Sequence, residues 1–309
     1  MFSAQGYDAL RHSLVLVRRS DRGVLRLDGA DRATWLQGLV TNDVLSLQPG
    51  HRAYNAYLTP QGRMITDLWV VATEDALLLD VPAPLAASLA QRLDVLIFAE
   101  DAHVSDVSAA VPCVHLLGPA ARVAALPTPV LPGGGVLVPD HQYGVPGLVA
   151  YGPLDALLAD NGLDDLTSAL EVDLDTLDVV RIEAGVPRFL VDMTEDTIPL
   201  EAGIEDRAIS FTKGCYVGQE IVARLDARGG NVNKALRGLR LSAPARPGTP
   251  VTADGREIGR VTTAAVSPRL GPIALAYVHR SHFAAGTAVE AGGVRATVAT
   301  SFEDGGARE

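Results

Sequence analysis

The sequence predicts a mixed α and β domain over residues 1–241, followed by a small β-barrel over residues 242–309. In the first domain, alternating apolar and polar residues typical of half-buried strands are interleaved with leucines at helical spacing. After Leu241 the helical spacing stops, and short strands separated by glycines follow a proline-rich stretch at 243–250 that we interpret as a hinge. A chain of 309 residues with 48% hydrophobic content is long enough to bury two such cores.

Turn residues and helix-capping residues indicate where the helices and strands of each domain begin and end. Pro60 and Gly62 favour a tight turn, so the strands predicted on either side of it, 51–58 and 63–73, should form a hairpin. A helix at 84–96 would carry its leucines on one face. The remaining elements predicted in the first domain are strands at 13–17, 23–27 and 76–81, a helix capped by Asp28 or Asp31, and helices at 119–125, 153–160, 175–184 and 218–224. The barrel strands are expected at 257–265, 272–279, 287–290 and 294–300.

Charge and cysteine content exclude several classes of function. The net charge is -11 and no basic run with interleaved aromatics is present, so we expect no direct binding of nucleic acid. Cys113 and Cys215 lie too far apart for a paired metal motif, and two cysteines do not make a disulfide framework, so we expect no metal and a reducing cytoplasmic location. The sequence contains neither a leader pattern nor a long apolar run, which predicts a soluble, unexported protein without a membrane partner.

Lysine is almost absent from the chain. Of its 26 basic residues only Lys213 and Lys234 are lysine, and the others are arginine. The two side chains are not equivalent where a compact ammonium with an adjustable pKa is needed. A special role for Lys213 is therefore one hypothesis, and chance retention of two lysines is the other.

The segment 213–220, Lys-Gly-Cys-Tyr-Val-Gly-Gln-Glu, is the densest motif, and we call it the signature segment. Glycines free the backbone on both sides of Cys215 and Tyr216, and a helix is predicted to begin at Gly218. A neighbouring ammonium and a helix N-terminus both stabilise a thiolate, so Cys215 is a candidate nucleophile activated by Lys213. The alternatives are that Cys215 is a small buried residue in a tight turn and that Tyr216 belongs to the core. Phosphate-loop, serine-elbow and zinc-protease motifs are absent from the sequence.

The signature segment resembles that of the YgfZ-type folate-binding proteins, iron-sulfur assembly factors related to the T-protein of the glycine cleavage system. The similarity continues in order and spacing over nearly the whole chain. The further matching stretches are 27–31 with 35–37 and 41–43, the hairpin 59–67, 181–187 with 198–201, and 228–231 with Lys234.

This resemblance implies an α+β fold in which a three-part, T-protein-like folate-binding domain encloses a central channel and is followed by a small C-terminal β-barrel. The implied cofactor is tetrahydrofolate or a one-carbon-substituted folate. Asp192 matches the position of a carboxylate that grips the pterin ring, because a carboxylate can accept two parallel hydrogen bonds from the amino group and ring N–H. The alternative for Asp192 is a helix or turn cap. Further folate contacts are expected from Tyr216, Gln219, Glu220 and Arg228.

One departure from the T-protein pattern bears on function. T-proteins carry paired aspartates after the hairpin glycine, whereas this chain has Thr66 and Asp67. We therefore expect an accessory factor that binds folate and supports iron-sulfur enzymes, including those that thiolate tRNA, with such client enzymes or carrier proteins as partners. The alternative is an aminomethyltransferase or folate-dependent demethylase with Asp67 in the catalytic place. A third hypothesis is a scaffold that has lost its ligand.

Overall fold

The computed structural model describes residues 1–119, 135–160, 169–300 and 302. Residues 120–125 of the helix predicted at 119–125, and the tail after 302, lie outside these ranges. The first domain contains α1 (Ala4–His12), β1 (Val15–Arg18), β2 (Arg22–Asp28), α2 (Arg32–Gln37), β3 (Arg52–Leu58), β4 (Met64–Ala72), β5 (Leu77–Pro82), α3 (Ala86–Asp94), β6 (His103–Asp106), β7 (Cys113–Leu117), β8 (Val136–Asp140), β9 (Gly147–Tyr151), α4 (Leu154–Asp160), β10 (Leu170–Glu171), α5 (Leu174–Glu183), α6 (Pro199–Ala202), α7 (Glu205–Ala208) and α8 (Gln219–Asp226). The barrel contains β11 (Lys234–Leu241), β12 (Pro250–Ala253), β13 (Arg256–Ser267), β14 (Gly271–His279), β15 (Ala288–Ala291) and β16 (Val294–Ala299).

The described strands form two open sheets and a barrel. One sheet has the order β10-β1-β7-β9-β8, the other β3-β4-β5-β2-β6, and the barrel closes as β11-β14-β13-β12-β15-β16. The two open sheets pack together through buried apolar residues, among them Val24 and Leu78 of the second sheet and Val149 and Tyr151 of the first. This packing confirms the predicted α+β class, with a segment carrying α6, α7 and α8 as the third part of the first domain.

The barrel begins earlier than the predicted boundary at 242. Its first strand is β11, which starts at Lys234 and pairs with both β14 and β16. Ile182 of α5 packs against Ile273 and Leu275 of β14, so the barrel rests directly on the first domain. The proline-rich stretch at 243–250, which we interpreted as a hinge, connects β11 to β12. Because both strands belong to the same closed sheet, this stretch is a connection within the barrel.

An aspartate caps α5, whereas Asp31, one of the two residues predicted to cap α2, bonds to a different segment. Asp173 caps α5 by accepting a hydrogen bond from Thr176 N at 2.9 Å. Asp31 precedes α2 but forms no side-chain bond to its own helix. Its carboxylate instead accepts from Asp101 N at 2.9 Å, so the predicted cap serves to hold a distant loop.

The predicted hairpin is present, and its turn supports the signature segment. β3 and β4 pair in antiparallel fashion, and Gly62 in the turn has a φ of 74°. A Cβ on Gly218 would lie 2.6 Å from Thr59 O, and one on Gly62 would lie 2.9 Å from Ile221 Cβ. Glycine at both positions is therefore what allows the start of α8 to lie against the hairpin turn.

Within the described ranges, no helix combines the length and apolarity needed to cross a membrane.

Candidate functional site

A small charged cavity lies where the two open sheets meet α5 and α7, and we call it the central cavity. It offers about 40 Å³ to water, which is room for very few molecules. Its walls combine aromatic rings with side chains of both charges. The lining residues are Arg19, Arg22, Tyr54, Asp67, Trp69, Asp80, His115, Gln142, Tyr143, Arg181, Val186, Pro187, Arg188 and Arg207.

An ion pair between Arg22 and Asp80 forms one wall. Arg22 Nε donates to Asp80 Oδ1 at 2.5 Å and Arg22 Nη2 donates to Asp80 O at 2.7 Å. Tyr151 completes the arrangement by donating to Asp80 Oδ2 at 2.7 Å. Burial alone would raise the pKa of Asp80, but the Arg22 charge and the hydrogen bonds from Arg22 and Tyr151 together outweigh burial and lower it. Both partners are almost inaccessible to solvent, so each depends on the other for compensation.

A second chain of charged and polar groups reaches the cavity wall at His115 and Arg19. Arg52 Nη2 donates to Asp140 Oδ1 at 2.7 Å, and His115 Nδ1 lies 3.2 Å from Asp140 Oδ2. Arg19 Nη1 approaches His115 Nε2 at 3.2 Å. Because a guanidinium can only donate, Nε2 must accept and the imidazole is neutral with its proton on Nδ1. Burial and the Arg19 charge lower the pKa of His115, in agreement with this neutral state.

Asp67 and Tyr54 are adjacent on the cavity wall. Tyr54 Oη donates to Asp67 Oδ2 at 2.8 Å, and Arg22 Nη1 lies 3.4 Å from Asp67 Oδ1. Burial and the Asp67 charge raise the pKa of Tyr54 well above its ordinary value. The Trp69 ring lies 5.0 Å from that of Tyr54, measured between centroids. Asp67 Oδ1 is thus only loosely held, and it remains able to accept a hydrogen bond from a ligand.

Arg207 differs from the other arginines of the wall. Its guanidinium lies over the Tyr54 ring at 4.7 Å from the centroid, and within the described residues it forms no ion pair. By contrast, Arg19 is paired with Asp21, Arg22 with Asp80, and Arg181 and Arg188 with Asp178. A cation over an aromatic ring contributes about 0.5–1 kcal/mol at an accessible site, less than a charge-assisted hydrogen bond. Arg207 is therefore the arginine of the cavity that can move at the lowest cost.

Asp192, the predicted pterin anchor, is buried beside the cavity wall but does not line the cavity. Its Oδ2 accepts from Arg181 Nη1 at 2.7 Å and from Arg188 N at 3.0 Å. Its Oδ1 accepts from Thr262 Oγ1 of the barrel at 2.5 Å. The carboxylate thus joins the loop after α5 to β13, and contact with a ligand would require some of these bonds to break. Its role as pterin anchor stays a prediction.

Lys213 is fully engaged in hydrogen bonds to the backbone of another segment. Its Nζ donates to the carbonyls of Gln37 at 2.6 Å, Val40 at 2.7 Å and Asn42 at 3.0 Å. These bonds use all three ammonium protons. Partial burial lowers the pKa of Lys213 to about 8, a change that the Asp43 charge opposes. The observed contacts hold the signature segment against the end of α2, and activation of Cys215 by Lys213 stays a prediction.

The other residues of the signature segment separate into exposed and buried positions. Cys215 is exposed, which excludes the alternative that it is a small buried residue. Tyr216 belongs to the core beneath Lys213, and burial raises its pKa to about 12. Gln219 and Glu220 lie in the first turn of α8, and Arg228 is exposed beyond its end. The structure brings none of these five to the wall of the central cavity, whereas Asp67 does line it.

Sequence reasoning overlooked most of the charged residues of the cavity. Asp80 interrupts the apolar strand β5, and His115 interrupts the apolar strand β7. A charged or polar residue inside a fully apolar strand is seldom buried without a partner, and this signal could have identified both positions. Their partners could not be read from the pattern, because Arg22 and Asp80 are 58 positions apart.

Comparison with known proteins places both domains. Residues 2–126 match the GCVT N-terminal domain, and residues 234–301 match the glycine cleavage T-protein C-terminal barrel domain. The crystal structure of the glycine cleavage system aminomethyltransferase T from Bartonella henselae superposes with a TM-score of 0.81 at 23% identity, covering 97% of this chain and 89% of that one. This confirms the T-protein-like fold and the C-terminal barrel.

Proteins with three different names are similar to this chain, at nearly the same sequence identity. A chloroplastic protein of Arabidopsis thaliana is 29% identical over 84% of this chain, which spans 63% of that relative's length. An aminomethyltransferase of a Nostoc species is 28% identical over 88% of this chain and 78% of its own. An iron-sulfur cluster assembly factor IBA57 homolog of Mycosarcoma maydis is 28% identical over 72% of this chain and 56% of its own. With both domains matched in order over more than half of its length, the chain belongs to the T-protein-like family.

Proposed function

We propose that this protein binds a reduced folate in the central cavity and acts as an accessory factor for iron-sulfur enzymes, including those that thiolate tRNA, in the cytoplasm. The observation that carries the proposal is the composition of the cavity wall, where the loosely held Oδ1 of Asp67 lies beside the tilted aromatic rings of Tyr54 and Trp69. Asp67 would accept hydrogen bonds from the pterin, and Tyr54 would stack on its ring. A bound reduced folate supplies a carrier for a one-carbon unit.

The cavity residues fit such a ligand in chemistry, and its entry would require Arg207 to move. A pterin is flat and has donors on one edge, which suits an aromatic face next to an acceptor. The present space of about 40 Å³ is too small for it. Arg207 lies over a face of the Tyr54 ring, the kind of surface on which a flat ligand would stack, and no ion pair with another described residue holds its guanidinium there. Its displacement would extend the cavity toward α7.

The residue before Asp67 favours the accessory role over transferase chemistry. Thr66 is fully buried, and its hydroxyl donates to Asp67 O at 2.9 Å. A second carboxylate is thus replaced by a group that bonds to its own strand and is not free to act on a ligand. The assembly-factor relative supports the accessory role as well. Cys215 is exposed on the signature segment, where a client or carrier protein would be able to reach it.

A second candidate function is transfer of an aminomethyl group to tetrahydrofolate, or a related demethylation. It is favoured by the retained Asp67 in the cavity wall and by the aminomethyltransferase relatives. In this case Asp67 would lie next to the folate nitrogens, and Asp67→Asn would abolish turnover.

Three measurements test these proposals. Calorimetric titration with folinic acid, a stable formyl derivative of tetrahydrofolate, should show binding that weakens at least tenfold in Asp67→Asn, since a charge-assisted acceptor is lost. The absence of binding to the wild-type chain would contradict both functions and leave the scaffold hypothesis.

Tetrahydrofolate-dependent aminomethyl turnover separates the two functions, because robust activity lost in Asp67→Asn would favour the transferase. A deletion strain complemented by the parent gene and by Cys215→Ala then tests the accessory role. We expect iron-sulfur enzymes to fail in the deletion strain and to recover with the parent gene only.

A further inference from the structure

Among the residues that the structure describes, Arg207 is the charged side chain of the central cavity without an ion-pair partner. Each of the other four arginines in the wall has a carboxylate partner within 3.0 Å. Arg207 is half-buried, faces the cavity and, within the described residues, has only the Tyr54 ring as a charge-stabilising contact. A half-buried guanidinium with five donors and no anion is an available binding group in a site of this kind.

Hydrogen bonds from the side chains of Asn42 and Thr41 fix the main chain at Arg207 and at the next residue. Asn42 Nδ2 donates to Arg207 O at 3.0 Å and to Tyr54 O at 3.0 Å, which joins α7 to β3. Thr41 Oγ1 donates to Ala208 O at 2.6 Å, beside it. The backbone of Arg207 is therefore anchored at the rim, while its side chain retains the freedom to turn from the ring toward an incoming group.

We propose that Arg207 is the residue through which the central cavity binds a carboxylate of its ligand, and that this binding draws the guanidinium off the face of Tyr54. A guanidinium and a carboxylate form two parallel hydrogen bonds, which a ring contact cannot match. One movement would thus satisfy Arg207 and uncover the stacking surface. The inference rests on the proposed folate site, and it identifies the ligand class as a reduced pterin joined to a carboxylate-bearing tail.

The test compares two ligands on three proteins. Folinic acid carries a glutamyl tail, whereas methyltetrahydropterin has the ring and lacks the tail. In Arg207→Gln we expect folinic acid to bind about tenfold more weakly, as loss of a charge-assisted pair implies, with methyltetrahydropterin unchanged or tighter. The matched control is Arg256→Gln at an exposed position of β13, which should leave both affinities unchanged. Calorimetry measures each dissociation constant.

The outcomes separate this inference from the proposed function. No binding of either ligand to the wild-type chain overturns both. If the wild type binds both ligands, two results overturn the carboxylate role of Arg207 alone. One is that Arg207→Gln leaves folinic acid binding unaffected, and the other is that it weakens both ligands equally. Methyltetrahydropterin is also titrated with free glutamate present. If Arg207→Gln weakens pterin binding only under this condition, the carboxylate belongs to a second molecule, and the proposal that Arg207 binds a carboxylate is supported. Should Arg207→Gln not fold, Arg207→Lys keeps the charge without the fork and should weaken folinic acid several-fold.

Discussion

The central cavity and the signature segment distribute their polar groups in opposite ways. In the cavity, charged side chains from distant strands are buried and compensate one another, as Arg22 and Asp80 do. In the signature segment, Lys213 is bonded to backbone carbonyls while Cys215 is exposed to solvent. The cavity therefore depends on its charges for stability, whereas the segment can present a reactive group at little structural cost. The following predictions test this difference, from the largest expected effect to the smallest.

Removal of a buried charge partner should be the most damaging change. Asp80→Ala leaves Arg22 buried without its carboxylate and Tyr151 without its acceptor, so the free energy of unfolding should fall by about 3–5 kcal/mol. Urea denaturation measures this change. The matched control is Asp196→Ala, which removes an exposed partner of Arg63 and should cost no more than about 1 kcal/mol. Equal effects at the two aspartates would contradict the assignment of the stabilising charges to the cavity.

The two lysines should differ in their contribution to stability. Lys213→Ala removes three hydrogen bonds to carbonyls at the end of α2 and should lower the free energy of unfolding by about 1–3 kcal/mol. Lys234 forms a loose ion pair with Glu201 at 3.8 Å and lies over the Tyr277 ring at 5.1 Å, so Lys234→Ala should cost no more than about 1 kcal/mol. Urea denaturation of both variants provides the comparison. A smaller effect at Lys213 than at Lys234 would show that the segment does not depend on these bonds.

Lys213 should also make stability depend on pH. Its pKa is about 8 in the folded chain against an ordinary value of 10.5, so between these values the unfolded chain binds more protons. Stability from this group therefore rises with pH across that window. The difference in unfolding free energy between wild type and Lys213→Ala should increase from pH 8 to pH 10. A difference that stays constant with pH would show that the ammonium is not destabilised by burial.

The two cysteines should show the smallest effect on stability and the clearest difference in accessibility. Cys215→Ala should change the free energy of unfolding by no more than about 0.5 kcal/mol, because the side chain is exposed. Burial raises the pKa of Cys113, so its thiol should resist alkylation in the folded chain. Mass spectrometry after timed iodoacetamide treatment should find Cys215 modified first. Early modification of Cys113 would indicate that the sheet packing around it opens.

Local patterns were sufficient for the elements that depend on neighbouring residues. The hairpin was predicted from Pro60 and Gly62 because a tight turn is specified by its own residues, and the helix beginning near Gly218 was predicted for the same reason. Residues 234–241 fell within the predicted first domain because the residues of a strand do not specify the strands with which it pairs. The pairing of β11 with β14 and β16 is a property of the closed barrel.

The candidate site was predictable only in part. Asp67 lines the cavity as a ligand contact requires, but Asp192 is engaged with Arg181 and Thr262, bonds that join positions 11 and 70 apart in the chain. The predicted activation of Cys215 relied on the nearness of Lys213 in sequence. In the structure the Lys213 ammonium turns toward carbonyls of residues more than 170 positions away.

The sequence by itself determined the α+β class, the barrel and the resemblance to the T-protein family, because these follow from periodicity and from contiguous motifs. Only the tertiary structure decided which charges are paired and which remain available. Arg207 and Arg22 have the same side chain, and nothing in their neighbouring residues distinguishes them. What separates them is that folding brings Asp80 to Arg22, while Arg207 meets the face of an aromatic ring.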